Sequence, residues 1–318
     1  MKILGIESSH DDASIAILED NQVKIMLTLS QIDIHKKFGG TVPEIASREH
    51  SQNLAYIVDI LINKYQVDFS TLDIIAYTKE PGLLGSLQMG FLLASAIAML
   101  YNKPLIPVNH LKGHFWSAAI NNNIEFPCLS LLISGGHSQL IYAKNEYDLE
   151  VLGSTKDDAL GEIYDKIARK LNLGFPGGPI IDNINKSVDF KQLIDFSIPK
   201  IFENPYDFSF SGIKTQVINY INKTKAFEDD KLQKLIAVSF QKTIIKYLKR
   251  QIDLVLRNFD VKSITLVGGV AANSEIRSLI ESYSNQYQIV IPEKKYCTDN
   301  GAMIAIAAQY TKNTSEVK

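Results

Sequence analysis

Cysteine is nearly absent from this chain, with two residues, Cys128 and Cys297, in 318. So distant a pair forms no C-x-x-C, which excludes a disulfide framework and a zinc ribbon and makes a reducing, cytoplasmic setting the expected one. Long hydrophobic runs are missing too. The longest apolar stretch, around Phe91–Leu100, is too short to span a bilayer. Met1-Lys-Ile-Leu-Gly-Ile-Glu7 reaches an acid at once, so no secretory leader is expected. Charge of one sign does not accumulate either: 33 Lys and Arg face 35 Asp and Glu, for a formal net charge of −2. A nucleic-acid partner must then be held by a local patch. The densest basic stretch, Lys242–Arg250, reads first as the solvated face of an amphipathic helix. What is present, 46 % apolar and 21 % charged residues, is the composition of a globular protein, and the length predicts two lobes.

The hydrophobic pattern repeats itself. The first half predicts strands at Ile3–Glu7, Ser14–Glu19 and Val23–Leu29, a helix over Pro43–Tyr65, strand Leu72–Thr78, helix Leu84–Tyr101, strand Leu105–Val108 and a further helix. The second half again predicts three strands, Cys128–Ser134, Gln139–Ala143 and Leu149–Gly153. Helix Ala159–Leu171, strand Ser263–Val267, helix Asn273–Tyr283, strand Gln288–Ile291 and helix Asn300–Tyr310 follow. The expected division is 1–125 and 126–318, the second lobe carrying an insertion at about 174–260 and the last helix packing back on the first lobe. Within the insertion, a glycine-proline loop precedes a long helix from about Lys231 to Arg257. Two βββαβα lobes around a nucleotide cleft describe the duplicated α/β fold of the actin-like, sugar-kinase-like (ASKHA) class. In that class the first hairpin of each lobe carries a turn that approaches phosphates. Those turns are Glu7-Ser-Ser-His-Asp-Asp12 and Ser134-Gly-Gly-His-Ser138.

Several residues carry chemistry. His110 and His114 are spaced to share one helical face just after an apolar strand, where α/β proteins place ligands. A distant Cys297-Thr-Asp-Asn300 opens a small-residue helix and offers a third metal ligand, Asp299. Glu7, Asp11 and Asp12 crowd three carboxylates at the first turn, which raises at least one pKa unless a cation or donor offsets it. Asp11 is a candidate general base. Gly268-Gly-Val-Ala-Ala-Asn273 follows a strand and opens a helix. Gly174-Phe-Pro-Gly-Gly-Pro-Ile-Ile-Asp182 ends in an acid suited to a ribose hydroxyl. Neither G-x-G-x-x-G nor G-x-x-x-x-G-K-[ST] occurs, so the dinucleotide and Walker readings fail.

With those segments in hand, the chain resembles the tRNA N6-adenosine threonylcarbamoyltransferases of the TsaD family, relatives of the catalytic subunit of KEOPS. The resemblance runs from Met1 to about Tyr310. It rests on Glu7–Asp12, the stretch 39–50, Pro81–Ser86, Val108–His114, Ile133–His137, Asp157–Glu162, Phe175–Asp182, Phe208–Thr215, Gly268–Asn273 and Tyr296–Asn300. It implies transfer of a threonylcarbamoyl group from threonylcarbamoyl-AMP to N6 of adenosine 37 in tRNAs reading codons that begin with A. By the same resemblance, His110, His114 and Asp299 hold one divalent ion, Fe(2+) or Zn(2+). Ile133, Ser134, Gly135, Gly136 and His137 meet the phosphate and carbamoyl end of the adenylate, and Asp165, Gly178, Asp182 and Asn273 its ribose and adenine. Protein partners implied are a TsaB-like paralogue and a TsaE-like ATPase, with no membrane. The sequence departs from the family pattern at His10 (commonly Cys), Ala13 (Thr), Glu80 (Gly) and Leu160 (Ala). His10 stands beside Asp11 and leaves the identity of the base open, His137 being a further candidate.

Three rivals compete. The family was long labelled a glycoprotease (O-sialoglycoprotein endopeptidase), but a zincin needs H-E-x-x-H and Leu111 follows His110 here. Another adenylate-dependent carbamoyltransferase or kinase would suit the same fold. A non-catalytic paralogue would be expected to lose the histidine pair, which this chain retains.

Overall fold

A computed structural model describes residues 1–38, 40–200 and 203–311. Gly39, which opens the resemblance stretch 39–50, lies outside them. The chain divides into two compact units: Met1–Asn123 with the stretch from Pro292 onward, and Ile124–Ile291.

The first unit opens with β1 (Lys2–Glu7), β2 (Asp12–Glu19) and β3 (Gln22–Ser30), then short α1 (Ile32–His35) and long α2 (Pro43–Asn63). β4 (Ile74–Glu80), α3 (Leu84–Leu100), β5 (Leu105–Asn109) and α4 (His110–Ser117) follow. The sheet order is β3-β2-β1-β4-β5, with β1 antiparallel to β2 and parallel to β4. Asp20 and Asn21 close the β2–β3 hairpin, both at positive φ (48° and 62°), the two-residue turn that matches strand twist. β1 is buried on both faces. Leu4 and Ile6 join Ile15, Ile17, Leu54, Ile57, Leu61, Ala94 and Ile97 in one core with α2 and α3.

The second unit repeats this plan. It holds β6 (Cys128–Ile133), β7 (Ser138–Asn145), β8 (Asp148–Ser154), α5 (Leu160–Lys170), α6 (Gly177–Ser187), α7 (Ser211–Thr224), α8 (Asp230–Asn258), β9 (Ser263–Val267), α9 (Ser274–Glu281) and β10 (Gln288–Val290). Its order, β10-β9-β6-β7-β8, is that of the first sheet read from the other edge, with the same parallel and antiparallel pairs. The fold is the duplicated α/β architecture that the patterning predicts.

Two helices depart from it. The stretch read as a glycine-proline loop is mostly α6. Pro176 is its N-cap and Pro179 falls in its first turn, where a missing N–H costs nothing, while the Gly177 N–H is taken by the Asp165 carboxylate at 2.7 Å. The insertion also contains α7, which the sequence reading leaves unassigned; Asp157 Oδ1 accepts from the N–H groups of Phe210 (2.8 Å) and Ser211 (3.2 Å) at its start.

Last comes α10 (Gly301–Gln309), buried in the first unit from Gly301 through Ala308. It lies flat on β1 because glycine faces glycine: a Cβ on Gly5 would sit 2.1 Å from Gly301 O, and one on Gly301 would sit 2.5 Å from Gly5 O. Ser14 Oγ accepts the Gly301 N–H at 2.9 Å.

Candidate functional site

In the first unit, the Asn109 side chain ends β5 and caps α4, its Oδ1 accepting from Leu111 N (3.0 Å) and Lys112 N (3.2 Å). The helix therefore begins on His110 itself. His110 and His114 fall on one face, rings edge to face with centroids 4.7 Å apart, and both are buried. The third group comes from the other end of the chain. Asn300 caps α10 through Met303 N at 3.0 Å, and the residue before it, Asp299, brings Oδ1 to 3.1 Å from His114 Nε2 and 3.7 Å from His110 Nε2. One ligand atom from each residue lies within 4.8 Å of the others.

This donor set fits a divalent ion. Neither ring nitrogen of His114 makes a hydrogen bond among the described residues, although Nε2 is 3.1 Å from the Asp299 carboxylate. Distance without alignment is the geometry of two lone pairs aimed at a common point, and ligand atoms of a tetrahedral site lie about 3.4 Å apart. Two imidazoles and one carboxylate also leave coordination positions open, as catalytic sites do.

Glu7 holds His110 in place. Fully buried at the end of β1, it accepts from Ser9 N at 2.6 Å through Oε1 and from Thr78 Oγ1 at 2.6 Å through Oε2. Oε2 also lies 3.1 Å from His110 Nδ1, which leaves Nε2 turned toward Asp299. Ser9 Oγ sits 3.1 Å from the same Nδ1. Burial disfavours a charged His110, but the Glu7 and Asp299 carboxylates outweigh it and raise the ring to about 9. Burial would raise Asp299 and Glu7; the His110 charge reverses both, and Asp299 falls well below the usual carboxylate range.

The three carboxylates of the first turn thus have separate fates. Asp12, first residue of β2, is pushed up to about 7 by burial, with Asp299, Asp11 and Glu7 adding to it. Asp11 lies half-buried in the bend between β1 and β2; its carbonyl accepts Gln31 N at 2.9 Å, and its carboxylate makes no hydrogen bond to the histidine pair among the described residues. His10 is exposed, and its carbonyl accepts from His50 Nε2 at 3.0 Å.

The second unit holds the other candidate residues. β6 ends at Ile133, and Ser134 closes the turn to His137 in both directions, Ser134 N to His137 O (2.8 Å) and His137 N to Ser134 Oγ (3.1 Å). Gly135 and Gly136 between them are exposed, and a Cβ on either would meet nothing within 4 Å, so space stands beside this backbone. The α5 start is tied to the same turn by Leu160 N to Ser138 Oγ at 3.0 Å. Gly268, at φ +92°, presses on it from β9, where a Cβ would lie 2.3 Å from Ile133 O.

Asp165, Asp182 and Asn273 are engaged by the protein. Asp182 Oδ1 accepts from Ser274 N (3.0 Å) and Ser274 Oγ (2.6 Å), and Oδ2 from Lys186 Nζ (2.7 Å). Asn273 caps α9 through Glu275 N and Ile276 N and pairs twice with Gln241, which also accepts from Tyr164 OH at 2.7 Å. These bonds join α5, α6, α8 and α9 into one cradle, in which Gly178 again has open space at its Cβ position. Two further resemblance segments also meet here: Asp158 bridges Lys166 and Lys214, which with Ser211 hold its carboxyl far below the ordinary range despite burial. Sequence reasoning passed over Ser9, Thr78, Tyr164, Gln241 and Ser274. Gln241 and Tyr164 carry no sequence signal, being polar groups inside otherwise apolar helix faces.

Comparison with known proteins gives the family and the fold. A family model described as TsaD, tRNA N6-adenosine threonylcarbamoyltransferase, matches residues 23–306. The protein of that name from Mesomycoplasma hyopneumoniae (strain 7448) is 64 % identical over 324 residues, covering 100 % of both chains. Its namesake in Mycoplasmopsis agalactiae is 54 % identical over 309 residues, covering 97 % of this chain and 98 % of the relative. Among solved structures, full-length HypF in a phosphate- and nucleotide-bound form superposes with a TM-score of 0.65 at 13 % identity, over 98 % of this chain and 47 % of that one. The activator of 2-hydroxyisocaproyl-CoA dehydratase from Clostridium difficile, with bound ADPNP, gives 0.55 at 15 % identity over 100 % and 98 %. Both share the fold.

Proposed function

The chain belongs to the tRNA N6-adenosine threonylcarbamoyltransferase (TsaD) family, and from that membership we propose the course of its reaction. It is a transferase of tRNA threonylcarbamoyladenosine synthesis; the donor is threonylcarbamoyl-AMP and the acceptor N6 of adenosine 37 in tRNAs reading codons that begin with A. That adenosine lies in a single-stranded loop, from which a base is splayed into a pocket cheaply.

His110, His114 and Asp299 would hold one divalent ion, Fe(2+) or Zn(2+). When bound it supplies Lewis acidity toward a carbonyl oxygen. Glu7 keeps the Nδ1 face of His110 occupied, so that Nε2 is presented to the ion. Open space at Gly135 and Gly136 lets the Ile133–His137 backbone approach the phosphate and carbamoyl end of the adenylate. Asp165, Gly178, Asp182 and Asn273 shape the side that takes its ribose and adenine. Adenosine N6 attacks the carbamoyl carbon, the bond from that carbon to the phosphate oxygen breaks, and AMP leaves with the electron pair. The N6 proton goes to Asp11, because an exocyclic amine is a poor nucleophile without a proton acceptor. A TsaB-like paralogue and a TsaE-like ATPase are the proposed protein partners, and the cytoplasm the proposed compartment. No helix among the described residues is long and apolar enough to cross a membrane.

The observation that carries this reading is the convergence of His110, His114 and Asp299 under the hold of Glu7. A carbamoyltransferase or kinase acting on another acceptor would use the same cradle. Supplying purified protein with threonylcarbamoyl-AMP and unmodified tRNA, then analysing the nucleosides by mass spectrometry, separates the two: modified adenosine is expected, and unmodified tRNA with consumed adenylate would favour the rival.

A further inference from the structure

A second charged feature lies on α8, within the second unit. Lys246, Lys249, Arg250 and Arg257 are spaced i, i+3, i+4 and i+11, so they fall on one helical face over about 16 Å. With Lys200 they line a groove of about 610 Å³ whose one acid among the described residues is Asp253. That carboxylate is paired with Lys249 at 2.9 Å and accepts a hydrogen bond from Tyr283 OH at 2.6 Å. Two of the cations are held ready. Arg250 stands 4.9 Å from the Tyr247 ring centroid and donates to Pro199 O at 2.9 Å; Lys249 stands 5.2 Å from the Tyr283 ring. Lys200, Lys246 and Arg257 are exposed and form no ion pair or hydrogen bond among the described residues.

A merely solvated helix face mixes signs, and a chain with net charge −2 has few cations to spare. Five of them in one concave strip against the one acid that Lys249 pairs leave a surplus of four positive charges, which matches a polyanion that follows a groove. We propose that this groove binds the phosphodiester backbone of the tRNA substrate, with Lys246 and Arg257 each neutralising a phosphate. The proposal rests on the tRNA-modifying reading and deepens it by giving the substrate a docking surface. Such contacts position the RNA and carry no sequence information.

Equilibrium binding of unmodified tRNA to the full chain over a range of KCl concentrations tests it. The Lys246→Ala/Arg257→Ala double variant should bind about 10-fold more weakly at 0.15 M salt, and the slope of log Kd against log salt should fall by about 1.4–1.8. Metal content and melting temperature should stay at parental values, since neither side chain is buried or paired. Lys246→Arg should retain parental binding. A control pair away from the groove, Lys64→Ala/Lys223→Ala, should leave the slope intact. Equal affinity and slope in the groove variant and the parent would overturn the proposal and leave the strip to an acidic protein. An equal loss in the control pair would overturn it as diffuse attraction. Failure of the parent itself to bind any tRNA would strike the underlying reading instead, and the groove's partner with it.

Discussion

Gly5 and Gly301 touch backbone to backbone, and that contact assembles the candidate metal centre. It lets α10 lie against β1 so closely that Asp299 reaches a histidine pair nearly two hundred residues earlier in the chain. Gly5→Ala would push a Cβ to 2.1 Å from Gly301 O and 2.6 Å from Ala305 N, neither of which can yield without moving the helix. A stability loss of about 1–3 kcal/mol is expected, together with reduced metal per chain. Chemical unfolding and elemental analysis of the same sample check both, and full metal occupancy would show that α10 does not position the third ligand.

Glu7 acts on His110 through a hydrogen bond and a charge. Glu7→Gln keeps an acceptor in place and removes the charge, so metal affinity should fall by about 10–100-fold. Competition against a chelator measures this. Parental affinity would reduce Glu7 to a buried partner of Ser9 and Thr78.

Asp12 titrates near 7 in the folded protein, against an ordinary 3.8. Its folded pKa lies above the unfolded one, so its contribution to stability is complete below about pH 4 and is lost as pH rises toward 7. In metal-free protein Asp12→Asn should match the parent near pH 4 and exceed it by a few kcal/mol at most at pH 8. Melting curves across that window decide it; a constant difference would mean that Asp12 is not the group that titrates.

Much of this was legible in the sequence, for local reasons. Strands and helices of the duplicated lobes follow from hydrophobic period, and the histidine pair from its spacing after an apolar strand. The cradle of the second unit was less so. Gly174–Asp182 reads as a loop because glycine and proline dominate it, yet Asp165, on a separate helix, supplies the hydrogen bond that starts α6. Gln241 is one of several polar residues along α8, and only the packing of four helices shows that Tyr164 and Asn273 both converge on it. Glu7 was visible as one of three clustered acids, but its separation from Asp11 and Asp12 depends on Thr78 of β4, a neighbour set by strand pairing.

Asp11→Asn keeps the size of the side chain and removes the proton acceptor. Single-turnover transfer by folded, metal-loaded variant should fall by about 10²–10⁴-fold, while adenylate binding changes far less. Transfer at the parental rate would pass the role to His10 or His137; equal losses in stability and activity would make Asp11 a residue that orders the turn.

Transfer and metal content measured together on His110→Ala test the central claim most directly. The parent should carry about one divalent ion per chain and convert adenosine 37 of tRNA to its N6-threonylcarbamoyl form. The variant should lose both the ion and the product while remaining folded. A variant that keeps the parental metal content, or that still modifies tRNA without it, would contradict the assignment of His110, His114 and Asp299 as the catalytic metal site.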